Sequence, residues 1–96
     1  MLSYRLLYSE TSAKQIKSLH PLLKPLIKKH IEALKHSPFL GKPLERELSG
    51  YYSLRTKKFR IIYDMDHEKH IVRIHYVGPR KDIYEVFREW LSKETG

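Results

Sequence analysis

Between Tyr51 and Arg60 the chain carries Arg55, Lys57, Lys58 and Arg60 with no acidic residue among them. Like charges this close repel one another, so the cluster calls for an anionic partner or tolerates a cost. Arg73, His75, Arg80 and Lys81 continue the basic set downstream. A guanidinium fork can engage two oxygens of one phosphate at once, which makes arginine a natural phosphate clamp. With a pKa above about 12 it cannot serve as a base. His75 has the best intrinsic pKa for moving a proton, near about 6.5. The whole chain leans the same way. Nineteen Lys and Arg against eleven Asp and Glu leave +8 at pH 7, with a sequence pI near 9.8. A small domain so biased favours polyanions, because each phosphate contact releases condensed counterions. An acidic protein partner and plain solubility are the competing explanations.

Other chemistries fall away. There is no cysteine, which excludes disulfides, thiolate metal sites and cysteine nucleophiles. The six histidines, at 20, 30, 36, 67, 70 and 75, form no pair that has a carboxylate at metal-ligand spacing. His30 and His36 would face different ways along a helix. Neither a metal nor any other cofactor is implied, and glycine-rich nucleotide loops and nucleophile elbows are missing. No apolar run approaches the roughly 20 residues that cross a bilayer. The opening MLSYRLLYSE lacks the features of a secretory signal, so a cytoplasmic protein with no membrane partner is expected.

The elements that must position these residues follow from periodicity. Ninety-six residues and 11.5 kDa, 41% hydrophobic and 31% charged, suit one globular domain spanning 1–96. Tyr4 to Tyr8 alternates loosely enough to open as a strand. Ser9-Glu10-Thr11-Ser12 supplies N-cap residues for a helix with Ala13, Ile16 and Leu19 inward and Lys14 and Lys17 outward. His20-Pro21 ends it. A second helix is expected from Pro21, its inner stripe being Leu22, Leu23, Leu26, Ile27, Ile31 and Leu34 and its outer face Lys24, Lys28, Lys29, Glu32 and Lys35. Phe39 to Gly50 reads as a loop.

From Tyr51 the period becomes two. Tyr52, Leu54 and Thr56 share one side of a strand, and Tyr51, Ser53 and Arg55 the other. After a turn at Lys57-Lys58, Phe59, Ile61, Tyr63 and Met65 alternate with Arg60 and Ile62. After a second turn at Asp66-His67-Glu68, Val72, Ile74 and Tyr76 alternate with Arg73 and His75. A closing helix over Arg80 to Ser92 aligns Ile83, Val86, Phe87, Trp90 and Leu91. The order β-α-α-β-β-β-α predicts an α+β domain: a mainly antiparallel four-stranded sheet, the helical hairpin on one face, and a C-terminal helix. The other face would be open, presenting Ser53, Arg55, Arg60, Arg73 and His75, with Arg80 and Lys81 just beyond. A merely solvated polar face is the plain alternative. Tyr51 and Tyr52 could stack on bases, though Tyr52 fits the core better. Trp90, with Phe87 and Leu91, is either helix packing or part of an exposed stripe.

In this order the segment GKPLERELSGYYSLRTKKFRIIYDMDHEKHIVRIHYVGPRKDIYEVF, Gly41 to Phe87, resembles the RelE/ParE toxins of type II toxin–antitoxin systems. The resemblance lies in Gly41-Lys42-Pro43-Leu44, Leu54-Arg55, Phe59-Arg60-Ile61-Ile62-Tyr63, and Val77-Gly78-Pro79-Arg80 with Tyr84. It implies a toxin neutralised by a tightly bound acidic antitoxin, acting as a monomer or held in a toxin–antitoxin hetero-oligomer. Such antitoxins commonly wrap the toxin with helices and sometimes displace its last helix. In the RelE-like branch the resemblance implies a ribosome-dependent endoribonuclease that cleaves mRNA by metal-free attack of the 2′-hydroxyl. In the ParE-like branch it implies a non-nuclease that poisons DNA gyrase; a catalytically inactive antitoxin-binding relative is a further alternative.

The same resemblance places Arg55, Arg60, Arg80 and Tyr84 at catalytic positions. Relatives with two lysines on the first of the three strands have a plausible base there, where this chain has Ser53 and Arg55. Proton transfer would then fall to Lys57, Lys58, His75, Lys81 or Tyr84, and further phosphate contacts to Lys57, Lys58, Arg73 and Lys81.

Overall fold

The computed structural model describes residues 3–81 and 83–95. Its elements are β1 (Arg5–Tyr8), α1 (Glu10–Lys17), α2 (Lys24–Ala33), β2 (Lys42–Pro43), β3 (Tyr52–Arg55), β4 (Phe59–Asp66), β5 (Ile71–Pro79) and α3 (Ile83–Thr95). A single 3₁₀ turn, Arg46–Leu48, joins β2 to β3. The sheet order is β1-β5-β4-β3-β2. β1 runs parallel to β5 and the other pairs are antiparallel; the two helices carry the chain from β1 to β2 at the opposite edge of the sheet.

The sheet has five strands where four were expected. β2 is two residues long, too short to show a period of two, and its Pro43 is tolerated because it lies on the sheet edge. Gly41 explains why that loop needs a glycine. A Cβ there would come within 2.6 Å of the Tyr63 hydroxyl. Tyr63 is fully buried. Its phenol donates to the Pro38 carbonyl at 2.8 Å and accepts from the Gly41 amide at 2.9 Å. Burial pushes its pKa up to about 12.

α1 and α2 cover one face, where Ile16, Ile27, Ile31 and Leu34 meet Leu54, Ile61, Tyr63, Val72, Ile74 and Val77. Ser9 caps α1, its side chain accepting from the Ser12 amide at 3.0 Å. Ser12 takes the buried position that Ala13 was expected to fill, and Ala13 is exposed. α2 starts at Lys24, after a turn through Pro21–Leu23. Leu22 and Leu26 therefore lie outside the buried stripe, exposed by 76% and 54%.

The second face is not open along its length. Strand alternation turns Ile62 opposite to Ile61 and Tyr63. There it packs with Leu48, Ile83 and Phe87, flanked by Tyr51, Tyr76, Tyr84 and Trp90. α3 thus lies across from the helical hairpin, because its own apolar stripe needs a surface to bury against. The expected Arg80–Ser92 helix begins at Ile83 instead, and residue 82 lies outside the described residues. Val86 points outward.

Tyr76 owes its place to a β-bulge. Ile62 opposes Tyr76 but Tyr63 opposes Ile74, leaving His75 as the extra residue. The slip reverses the alternation after His75 and turns Tyr76 away from Val72 and Ile74. Side chains of α1 hold the irregular strand. Ser12 Oγ donates to the Ile74 carbonyl and Ser9 Oγ to that of His75, both at 2.9 Å, while Gln15 Oε1 accepts from the Val77 amide at 2.7 Å.

Candidate functional site

The β3–β4 hairpin brings the first cations together. Thr56 closes it, donating from its amide (2.8 Å) and its hydroxyl (2.9 Å) to the Phe59 carbonyl and accepting from the Phe59 amide at 3.0 Å. Lys57 and Lys58 form the exposed tip. The register sets Arg55 directly opposite Arg60 and, across β4, Arg60 opposite Gly78. Like charges facing each other in a sheet cost up to about 1 kcal/mol, a cost that a bound anion would relieve.

Gly78 also brings in α3. A Cβ there would lie 3.1 Å from the Ile83 side chain, so glycine lets the first turn of the helix settle onto the end of β5. Tyr84, the next residue, then covers Arg60. The guanidinium carbon lies 5.2 Å from the Tyr84 ring centroid, within cation–π range. Arg60 Nη1 and the Tyr84 hydroxyl both donate to Ser53 Oγ at 3.3 Å. Arg60 Nε is buried with no hydrogen-bond partner among the described residues. Arg80 anchors to the hairpin tip, its amide donating to the Lys58 carbonyl at 3.0 Å and its Nη1 to that of Lys57 at 3.3 Å. Lys58, Arg60, Pro79, Arg80 and Lys81 line an open depression of about 490 Å³.

Among the described residues no carboxylate pairs with Arg55, Lys57, Lys58, Arg60, Arg80 or Lys81. The end of the sheet is therefore a concentrated positive site with one phenol and one hydroxyl. It can grip a phosphate through several N–H donors and stabilise charge that develops on it. Among the described residues no three His, Asp or Glu side chains gather as a metal-ligand set.

Arg73 and His75 do not join this group. Arg73 Nε and Nη2 donate to the two oxygens of Asp64 at 2.8 and 3.0 Å, and His75 Nε2 lies 3.1 Å from Asp64 Oδ1. Burial alone would raise the Asp64 pKa. The bonds to His75 and Arg73 outweigh it and hold the carboxyl below its ordinary value. Four positions along β4 separate Asp64 from Arg60, roughly 13 Å at the rise of a strand. Arg73, expected as a phosphate contact, and His75, expected as a proton carrier, are thus both engaged by a carboxylate inside the protein. Asp64 went unnoticed in the sequence, although counting back from the Asp66 turn would have set it opposite Arg73. Ser53 was visible on the right face, but a serine in a strand signals nothing until its neighbours are known.

The aromatic candidates sort themselves by packing. Tyr52 stacks on Tyr63, and Tyr51 meets His75 and Phe87 edge-on. Trp90 stacks on Phe87 and leans against Tyr76.

A model of the family described as the ParE toxin of the type II toxin–antitoxin system parDE matches residues 6–84. Toxin RelG of Mycobacterium tuberculosis is 34% identical over 83 residues, covering 84% of this chain and 95% of RelG. Among solved structures, the RelBE2 toxin–antitoxin complex of the same organism contains a chain 30% identical with a TM-score of 0.77, matched over 82% of this chain and 100% of that one. A free RelE toxin of E. coli, 24% identical, shares the fold with a TM-score of 0.74 over 96% of this chain and 98% of its own.

Proposed function

This chain belongs to the RelE/ParE superfamily of type II toxin–antitoxin toxins, and from that premise we propose that it is a ribosome-dependent mRNA endoribonuclease acting in the cytoplasm. The observation that carries the reading is that Arg60 and Arg80 line one depression with no carboxylate among its described lining residues, Tyr84 lying over Arg60 and Arg55 standing opposite it. In the proposed reaction the 2′-hydroxyl oxygen bonds to the adjacent phosphorus and the bond to the 5′-oxygen breaks. A 2′,3′-cyclic phosphate and a free 5′-hydroxyl result. Arg60 and Arg80 hold the phosphate and offset the charge of the phosphorane, Arg55 and the lysines at 57, 58 and 81 add field, and Tyr84 positions the nucleophile.

With His75 engaged by Asp64, proton transfer is left to Lys57, Lys58, Lys81, Tyr84 or solvent. Alignment of the message by the ribosome supplies the in-line geometry that these groups alone do not impose. The basic face also suits a cognate acidic antitoxin. Several related toxins were solved bound to RelB-type antitoxins.

The match to a ParE family model favours one second reading: a toxin that holds DNA gyrase, with the arginines as an anion-binding surface. Primer extension on a message in a translating extract separates the two. New codon-phased 3′ ends support the nuclease; gyrase-linked double-strand DNA breaks without RNA ends support the other.

A further inference from the structure

We propose that Ser53 is a positioning residue that fixes Arg60 and Tyr84 in a single working geometry, an inference resting on the nuclease reading above. Ser53 is only 2% exposed on β3. Its oxygen receives Arg60 Nη1 from β4 and the phenol of Tyr84 from α3, each at 3.3 Å. A serine oxygen has two lone pairs, and these two donors occupy both. Three elements are joined at one atom.

The choice of a hydroxyl has a chemical reason. A free arginine explores many rotamers and must be held to bind phosphate with fixed geometry. A carboxylate would hold it, as Asp64 holds Arg73, but would spend its charge inside the protein. The Ser53 hydroxyl is neutral, so it anchors one N–H and leaves the cation undiminished toward RNA. It also orients Tyr84. With its proton directed onto Ser53, the phenol oxygen turns its lone pairs outward, ready to accept from a 2′-hydroxyl. Tyr84 on this geometry is an acceptor for the nucleophile, not the donor to the leaving oxygen.

The test is single-turnover cleavage of a ribosome-bound message together with ¹⁵N NMR of the Arg60 Nε–H in the RNA-free protein. Ser53→Ala should lower kcat roughly tenfold to a hundredfold, the value of one or two hydrogen bonds to a charged system, with KM little changed. Ser53→Thr should recover most of the rate. In an Arg60→Ala background Ser53→Ala should add less than about twofold, since its main client is gone. In the NMR arm the sharp Arg60 signal should broaden in Ser53→Ala. Ser53→Asp, which restores an acceptor but adds charge, should keep the signal sharp and still fail to cleave; it serves also if the alanine variant does not fold. Full activity in Ser53→Asp, an unchanged Arg60 signal in Ser53→Ala, or equal losses in both backgrounds would overturn the proposal. If the Arg60 signal is sharp in wild type and broadens in Ser53→Ala, but the wild-type protein never cleaves RNA, the nuclease reading alone is sunk.

Discussion

Arg60 and Arg73 stand on the same face of one hairpin, and their surroundings differ above all in whether a carboxylate is at hand. Beside Arg73 lies Asp64, which takes both of its donors and His75 as well. Beside Arg60 lie a second arginine across the strand, a phenol and a serine hydroxyl. One end of the sheet has settled its charge internally and gains stability from it. The other, among the described residues, carries cations that no carboxylate pairs, including a buried Arg60 Nε without a hydrogen-bond partner, which is what the proposed anion site needs. Net charge read from composition cannot tell these ends apart, because it counts both arginines alike.

The comparison can be broken most sharply at Arg60. Arg60→Ala should lower message cleavage by roughly a hundredfold or more, as loss of a main charge-stabilising donor does, and should relieve growth arrest while leaving the melting curve within a few degrees of wild type. A variant as toxic as the parent would remove Arg60 from the site.

At the settled end the effect should appear in stability instead. Asp64→Asn should cost about 1–2 kcal/mol, read as a drop in melting temperature, with cleavage per folded molecule unchanged. The pH dependence carries the same signature. Because the folded Asp64 pKa is depressed, its contribution is complete above the unfolded value of about 3.9 and is lost as pH falls through the lower folded value. Melting temperature measured downward from pH 5 should therefore fall more steeply for wild type than for Asp64→Asn; parallel curves would mean that the cluster stabilises nothing.

The smallest effect sharpens the contrast between neighbours. Arg55→Ala should weaken binding of a non-cleavable RNA by a few-fold and reduce the salt slope of log affinity by about one phosphate contact. Arg73→Ala should alter neither. Equal losses from both would show that the Asp64 pair opens to bind RNA and that the two ends act as one surface.

How much of this was legible beforehand differs by element. The β3–β4–β5 run was readable because half-buried strands alternate, and Arg55, Arg60 and the turn at Lys57-Lys58 fall where the pattern puts them. β2 was not, since two residues carry no period. The bulge at His75 was invisible for a related reason. One extra residue inverts every later side chain, and the cue that holds it lies on α1, in Ser9, Ser12 and Gln15, some sixty positions away. The placement of α3 was missed because an amphipathic helix announces that it must bury a stripe, not which face of the sheet will receive it.

By itself the sequence determined the local and the additive: which segments alternate, where helices can start, how many cations there are, and which family pattern they follow. Tertiary structure alone decided which cations remain free. That depends on whether a carboxylate, a hydroxyl or another arginine comes to lie within about 3 Å, and such meetings are set by strand register and helix docking. Electrostatic energy falls with distance between side chains in space, not along the chain, so the same residue types became a charge-paired cluster at Asp64 and, among the described residues, a cation cluster without a carboxylate at Arg60.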